Sequence, residues 1–95
     1  MEIREYRTYN EEEILSLYSS VGWTSYTDHP EVLQKGFENA LLTLAAYDGG
    51  ELLGIIRTVG DGYTVVFVQD ILVFPVHQRK GVGSALRKAI LDRYS

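Results

Sequence analysis

Eleven residues, 63 to 73, read Tyr-Thr-Val-Val-Phe-Val-Gln-Asp-Ile-Leu-Val and constrain this chain more than any other stretch. β-Branched and aromatic side chains suit a pleated surface, and a nearly unbroken apolar run is what a strand covered on both faces carries. A chain with such a strand needs cover on both faces of its sheet. The run also exceeds the usual strand length of about five or six residues, so a bend or bulge inside it is expected. Val82, Ala85, Leu86, Ala89 and Ile90 then recur at helical spacing, which predicts an amphipathic C-terminal helix.

The remaining elements follow from local signals. Residues 2–8 alternate apolar and charged loosely, as a first strand would. Asn10 before Glu11, Glu12 and Glu13 reads as a helix cap with acids in the first turn and Glu13 at the capping-box position. Ile14, Leu17, Tyr18 and Val21 form that helix's apolar stripe, and Gly22 stops it. Pro30 opens a second helix with Leu33, Phe37, Ala40 and Leu41 on one face. Gly36 inside it costs about 1 kcal/mol relative to alanine. Residues 42–47 and 52–59 are apolar runs joined by the hairpin signal Asp48-Gly49-Gly50, and Gly60-Asp61-Gly62 turns the chain into the long run. The order β-α-α-β-β-β-α predicts one α/β (α+β) domain over residues 1–95, with a mixed, mostly antiparallel sheet flanked by helices.

Composition narrows the chemistry. The chain has no cysteine, which removes disulfides, thiolate nucleophiles and cysteine-based metal sites. Its two histidines, His29 and His77, are too far apart for a zinc helix, so no metal is expected. The apolar run 65–68 falls far short of the about twenty residues that cross a bilayer. No signal peptide opens the sequence, so a soluble, cytoplasmic domain without a membrane partner is expected. The net charge of −4 is unevenly spread. Residues 1–70 carry twelve carboxylates against four bases, whereas Arg79, Lys80, Arg87, Lys88 and Arg93 meet only Asp92 in residues 71–95. A basic C-terminal quarter points to an anion, and the same residues also suit the negative end of a helix. The cluster is too small, and lacks the interleaved aromatics, for nucleic acid.

The chemistry is concentrated in residues 70–84, which run from a buried strand, through a Pro75-marked loop, to a glycine-flanked helix start. The first N–H groups of a helix have no helical partner and the dipole is positive there, so a phosphate fits. Gly81 and Gly83 remove the Cβ atoms that would hold a pyrophosphate off the backbone; Gly83 equally suits close helix–strand packing. Arg79 and Lys80 add charge and Ser84 a hydroxyl. A Walker loop ends in Gly-Lys, whereas Lys80 precedes Gly81, and a dinucleotide fingerprint needs a third glycine where Leu86 stands.

Gln78-x-x-Gly81-x-Gly83, after a strand with Val73-Phe74-Pro75 and before an amphipathic helix, resembles the coenzyme A loop of the GNAT N-acetyltransferases. Their signature is Arg/Gln-x-x-Gly-x-Gly/Ala in that setting. Val21-Gly22-Trp23-Thr24 with Tyr26 and Pro30-Glu31 is similar to the helix 1–helix 2 region of one small bacterial subgroup. The element order extends the resemblance over essentially the whole chain. It implies an acyl-CoA N-acyltransferase-like fold and direct transfer of acetyl from acetyl-CoA to a primary amine of a small molecule or protein. It further implies that the amides of Arg79, Lys80, Gly81, Val82, Gly83 and Ser84 hold the pyrophosphate, with Gln78 opening the loop. Ile71, Leu72 and Val73 would pair with the pantetheine arm as an added strand, and a bulge would leave an N–H for the thioester carbonyl. GNAT domains continue with further strands and a tyrosine that protonates the leaving thiolate. This sequence ends at Arg93-Tyr94-Ser95, so the resemblance implies the N-terminal two-thirds of the domain, lacking the C-terminal strands. The strand edge so exposed favours association into a homodimer.

Single residues follow from this setting. Asp70, the one ionisable group near the end of the buried strand, is the candidate acceptor of the amine proton, with capping of a bend as its structural alternative. Trp23 and Tyr26, in the connection that lines the acceptor site of GNATs, are candidate substrate residues, with core packing as theirs. Arg57 reads as a contact for an acidic acceptor or a salt-bridged edge residue, His77 as a solvated loop residue and Tyr94 as a packing residue. The alternative to an enzyme is a non-catalytic module that binds coenzyme A or another phosphorylated ligand.

Overall fold

In the computed structural model, which describes residues 1–95, four strands form one antiparallel sheet in the order β1-β2-β3-β4. They are β1 (Glu2–Glu5), β2 (Leu42–Asp48), β3 (Glu51–Gly60) and β4 (Val66–Val73). Helices α1 (Glu11–Ser20), α2 (Thr24–Thr27) and α3 (Pro30–Glu38) lie on one side, and α4 (Val82–Arg93) covers the other. Ile14, Leu17, Leu33 and Phe37 pack on Ala45, Ile55 and Leu72. Val82, Leu86 and Ile90 pack on Leu44, Ala46 and Ile56 from the opposite face. Two cores back to back explain why β2 and β3 are buried at nearly every position, each large apolar side chain contributing about 1.5–3 kcal/mol. No helix is long and apolar enough to cross a membrane.

Asn10 caps α1 as expected, its Oδ1 accepting from the Glu13 N–H at 3.1 Å. The box closes through a third residue: Tyr6 donates its hydroxyl to Glu13 Oε1 (2.8 Å) and accepts from the Asn10 N–H (3.3 Å). Gly22, just past α1, takes φ 80° and reverses the chain. Two local expectations change. A four-residue helical turn, α2, stands between the two foreseen helices. Helix α3 ends at Glu38, so Ala40 and Leu41 lie beyond it, and the Leu41 N–H already donates to Thr58 O in the sheet (2.8 Å).

The long apolar run departs most from expectation. It becomes strand only at Val66, because Asp61 Oδ1 captures the N–H groups of Tyr63, Thr64 and Val65 at 2.8, 2.8 and 3.0 Å. These bonds, with the Thr64 hydroxyl first among them, hold the Asp61 carboxyl well below the usual carboxylate range. Nor is the run covered on both faces throughout: β4 is an outer strand, and Tyr63 and Phe67 are 95% and 58% exposed. The expected bulge is present. Arg57 pairs with Asp70 and Thr58 with Val68, leaving Gln69 without a partner. That extra residue lets Val66 share the α4 side with Ile71 and Val73 although their positions differ in parity. A strict alternation could therefore not be read along this strand.

Candidate functional site

After β4 the chain makes a 3-10 turn over Pro75–His77, extends at Gln78 and enters α4 through Gly81. Arg79 and Gly81 are left-handed, with φ 66° and 83°. Glycine adopts that conformation freely, whereas Arg79 holds it at a cost of about 1–2 kcal/mol. A Cβ on Gly81 would meet nothing within 4 Å, so the backbone angle, and not crowding within the protein, calls for glycine there. At Gly83 a Cβ would stand 3.9 Å from Ile71 Cδ1 and Val73 Cγ2, an ordinary contact, so helix–strand packing does not require glycine.

None of the six backbone N–H groups of residues 79–84 donates to an acceptor within the protein; the first that does is Ala85, to Gly81 O at 3.0 Å. Six consecutive free donors stand at the positive end of a twelve-residue helix, an arrangement whose chemistry suits an anion. Gln78, Arg79, Gly81, Val82, Gly83 and Ser84 line a groove of about 250 Å³ with Val73, His77 and Arg87. Lys80 does not line it, and Arg87, one helical turn into α4, does. Gln78 Nε2 donates to Val73 O at 3.1 Å and braces the loop against the end of the strand. His77, expected to be solvated, is mostly covered: its side chain is 17% exposed and its Nε2 lies 3.1 Å from Glu51 Oε1.

The groove continues into the free edge of β4. The Phe74 N–H donates to Leu53 O on β3 (3.0 Å), and alternation along the strand then turns the backbone groups of Ile71 and Val73 outward and those of Leu72 inward. The Leu72 side chain sits in the core, so this residue offers neither backbone nor side chain to the edge.

Asp70 lies beside the bulge at 2% exposure. Its Oδ2 accepts from Arg57 Nε (2.8 Å), Arg57 Nη2 (2.5 Å) and the Tyr18 hydroxyl (2.6 Å). Its Oδ1 is buried with no partner. The carboxylate thus shows no surface to a bound amine. Burial, then the bond to Asp70, pushes the Tyr18 hydroxyl well above its ordinary range. Burial pulls the Arg57 guanidinium down, but hydrogen bonding and charge pairing with Asp70 outweigh it and leave the group raised. Arg57 is no edge residue: it stands on β3, between β2 and β4, at 5% exposure. Trp23 and Tyr26 stack on each other (5.9 Å, 27°) and both meet the Tyr18 ring edge-on, at 5.9 and 5.4 Å.

The site residues therefore fall into two groups: the loop with Val73, and Asp70 with Trp23 and Tyr26 around Tyr18. Sequence reasoning missed Tyr18 and Gly36 as parts of these groups, and had Arg87 only as a member of the basic C-terminal cluster. The available signal was Arg57 and Asp70, the only charges in these neighbouring apolar strands apart from Glu51 at the first position of β3.

The profile described as the acetyltransferase (GNAT) family matches residues 6–95. A GNAT family acetyltransferase from Streptococcus pneumoniae superposes with a TM-score of 0.84 at 40% identity, over 98% of this chain and 67% of that one. A probable acetyltransferase of unknown function from meticillin-resistant Staphylococcus aureus gives 0.78 at 29% identity, over 96% and 68%. An aminoglycoside 6'-N-acetyltransferase complexed with coenzyme A gives 0.80 at 22% identity, over 98% and 57%, which speaks for the fold alone. No curated protein matches the chain.

Proposed function

This chain belongs to the GNAT family of acetyltransferases, and from that premise we propose that it is the coenzyme A-binding part, over residues 1–95, of an N-acetyltransferase acting on a primary amine of a small molecule or protein. The observation that carries the reading is the row of six unpaired N–H groups at residues 79–84, set in a groove beside an open strand edge. Two structurally similar proteins, an aminoglycoside 6'-N-acetyltransferase and a GNAT acetyltransferase from Brucella melitensis, carry coenzyme A and acetyl-CoA respectively.

Acetyl-CoA supplies an acyl group activated as a thioester, which an amine nitrogen takes with release of coenzyme A. In this reading the amides of Arg79, Lys80, Gly81, Val82, Gly83 and Ser84 neutralise the pyrophosphate, assisted by the Arg79 and Arg87 charges lining the groove. Ile71 offers its outward N–H and carbonyl to the pantetheine amides and Val73 its N–H, the Val73 carbonyl being braced by Gln78 Nε2, as an added strand would use them. The amide at the Gln69 bulge polarises the thioester carbonyl, where negative charge develops during transfer. Trp23 and Tyr26 border the acceptor, and the acidic first seventy residues favour a cationic one. Asp70 was the sequence's candidate for taking the amine proton; its burial and its bonds to Arg57 and Tyr18 support a holding role instead.

The test is an amide NMR titration of the 95-residue chain with acetyl-CoA. The expected result is saturable shifts at residues 79–84, 71 and 73. Dispersed spectra with no shift at the loop would overturn the reading.

A further inference from the structure

We propose that Arg57 is a positioning residue for acyl transfer, holding the β4 bulge in the one geometry in which its amide faces the thioester. The inference rests on the coenzyme A reading above and adds to it a residue that touches neither cofactor nor acceptor.

The bulge begins where the Arg57–Asp70 pair ends, since the next cross-strand pair is Thr58 with Val68. A bulge interrupts the hydrogen-bonded ladder and leaves the local backbone less constrained, at the point where a donor must be aimed. The missing constraint comes from side chains. Two guanidinium nitrogens and the Tyr18 hydroxyl converge on Asp70 Oδ2 alone, at 2.8, 2.5 and 2.6 Å, so the carboxylate has one seat. The guanidinium is itself confined. It lies over the Phe37 ring at 5.1 Å, and a Cβ at Gly36 would stand 2.6 Å from Arg57 Nη1. Helix α3 thus gives up a side chain, in mid-helix, to admit it. Tyr18 extends the same contact to Trp23 and Tyr26, so the bulge and the acceptor-side aromatics are fixed against one carboxylate.

Stability alone does not explain such a pair. Buried ion pairs often stabilise no better than apolar residues of equal volume, and in some proteins they fix register instead. The pantetheine edge and the phosphate loop are held by other bonds, so removing the pair should disturb the bulge and spare the loop.

The experiment compares the amide shifts produced by acetyl-CoA and by coenzyme A in the full chain and in two variants. The first is Arg57→Met/Asp70→Leu, which removes both charges and is expected to fold; the second is Gly36→Ala, which keeps both charges and crowds the guanidinium. In the wild-type chain, residues 69–71 are expected to shift further with acetyl-CoA than with coenzyme A, the difference reporting the thioester carbonyl. In both variants that difference is lost, while coenzyme A affinity read at residues 79–84 stays within about twofold, as for groups that share no bonding partner with the pair. A folded double variant that keeps the full difference would overturn the inference, as would a wild-type chain that responds at the loop and shows no acetyl-specific difference at the bulge. No response at the loop in the wild-type chain would instead overturn the coenzyme A reading, and the inference with it.

Discussion

Residues 79–84 build a polar site from backbone donors on six consecutive residues, whereas the Arg57–Asp70 clasp takes side chains from α1, β3 and β4 and space from α3. The first is exposed, leaves its donors unsatisfied and depends on two left-handed residues. The second is buried, and three of its donors are spent on one oxygen. A site of the first kind keeps its binding capacity free for a ligand. One of the second kind uses its capacity on the protein, so its loss registers first in the fold.

Four substitutions probe that contrast. Asp70→Ala strands the Arg57 charge in the core and is expected to cost about 3–5 kcal/mol, read as a lowered urea midpoint. A cost below about 1 kcal/mol, the range of an exposed pair, would show the clasp to be a surface-like contact. Gly83→Trp fills the groove and should weaken coenzyme A by at least about a hundredfold, or ~2.7 kcal/mol by calorimetric titration. Its urea midpoint should barely move, and unchanged affinity would remove the loop from the binding site.

Tyr18→Phe deletes one of the three donors and should cost about 1–2 kcal/mol at neutral pH. The raised Tyr18 pKa also sets a sign. A hydroxyl whose folded pKa exceeds its unfolded value contributes stability that is whole below about pH 10 and fades as pH rises through the folded value. The Phe variant should therefore lose less stability on alkalinisation than the wild-type chain. Tyr6, raised by burial and by Glu13, keeps part of that slope. Identical slopes would mean that Tyr18 ionises as freely folded as unfolded. Arg79→Gly relieves a left-handed arginine and should gain up to about 1 kcal/mol in thermal unfolding, while coenzyme A binds more weakly for want of a charge. A loss of stability would show that the arginine side chain, beyond its strained backbone, supports the loop.

Legibility in the sequence followed the same divide. Asn10 with Glu13, the Asp48-Gly49-Gly50 hairpin and the α4 stripe each act within a few residues, and each stands where the pattern put it. The bulge was expected from length, but its seat at Gln69 was not, since that depends on the β3 partner strand. Strand β4 was read too long because Asp61 diverts three N–H groups from the sheet. Gly36 looked like a weakness in α3 and turned out to make room for a residue twenty-one positions away.

By itself the sequence determined the order of most elements, the apolar runs that become β2 and β3, and the glycine-flanked start of α4, because hydrophobic period, capping and backbone freedom are encoded within one or two turns of chain. Only the tertiary structure decided that β4 is an outer strand, that its bulge sits beside Asp70, and that one carboxylate joins Arg57 to Tyr18. Those outcomes rest on which side chains meet across four elements, and no window along the chain contains them all.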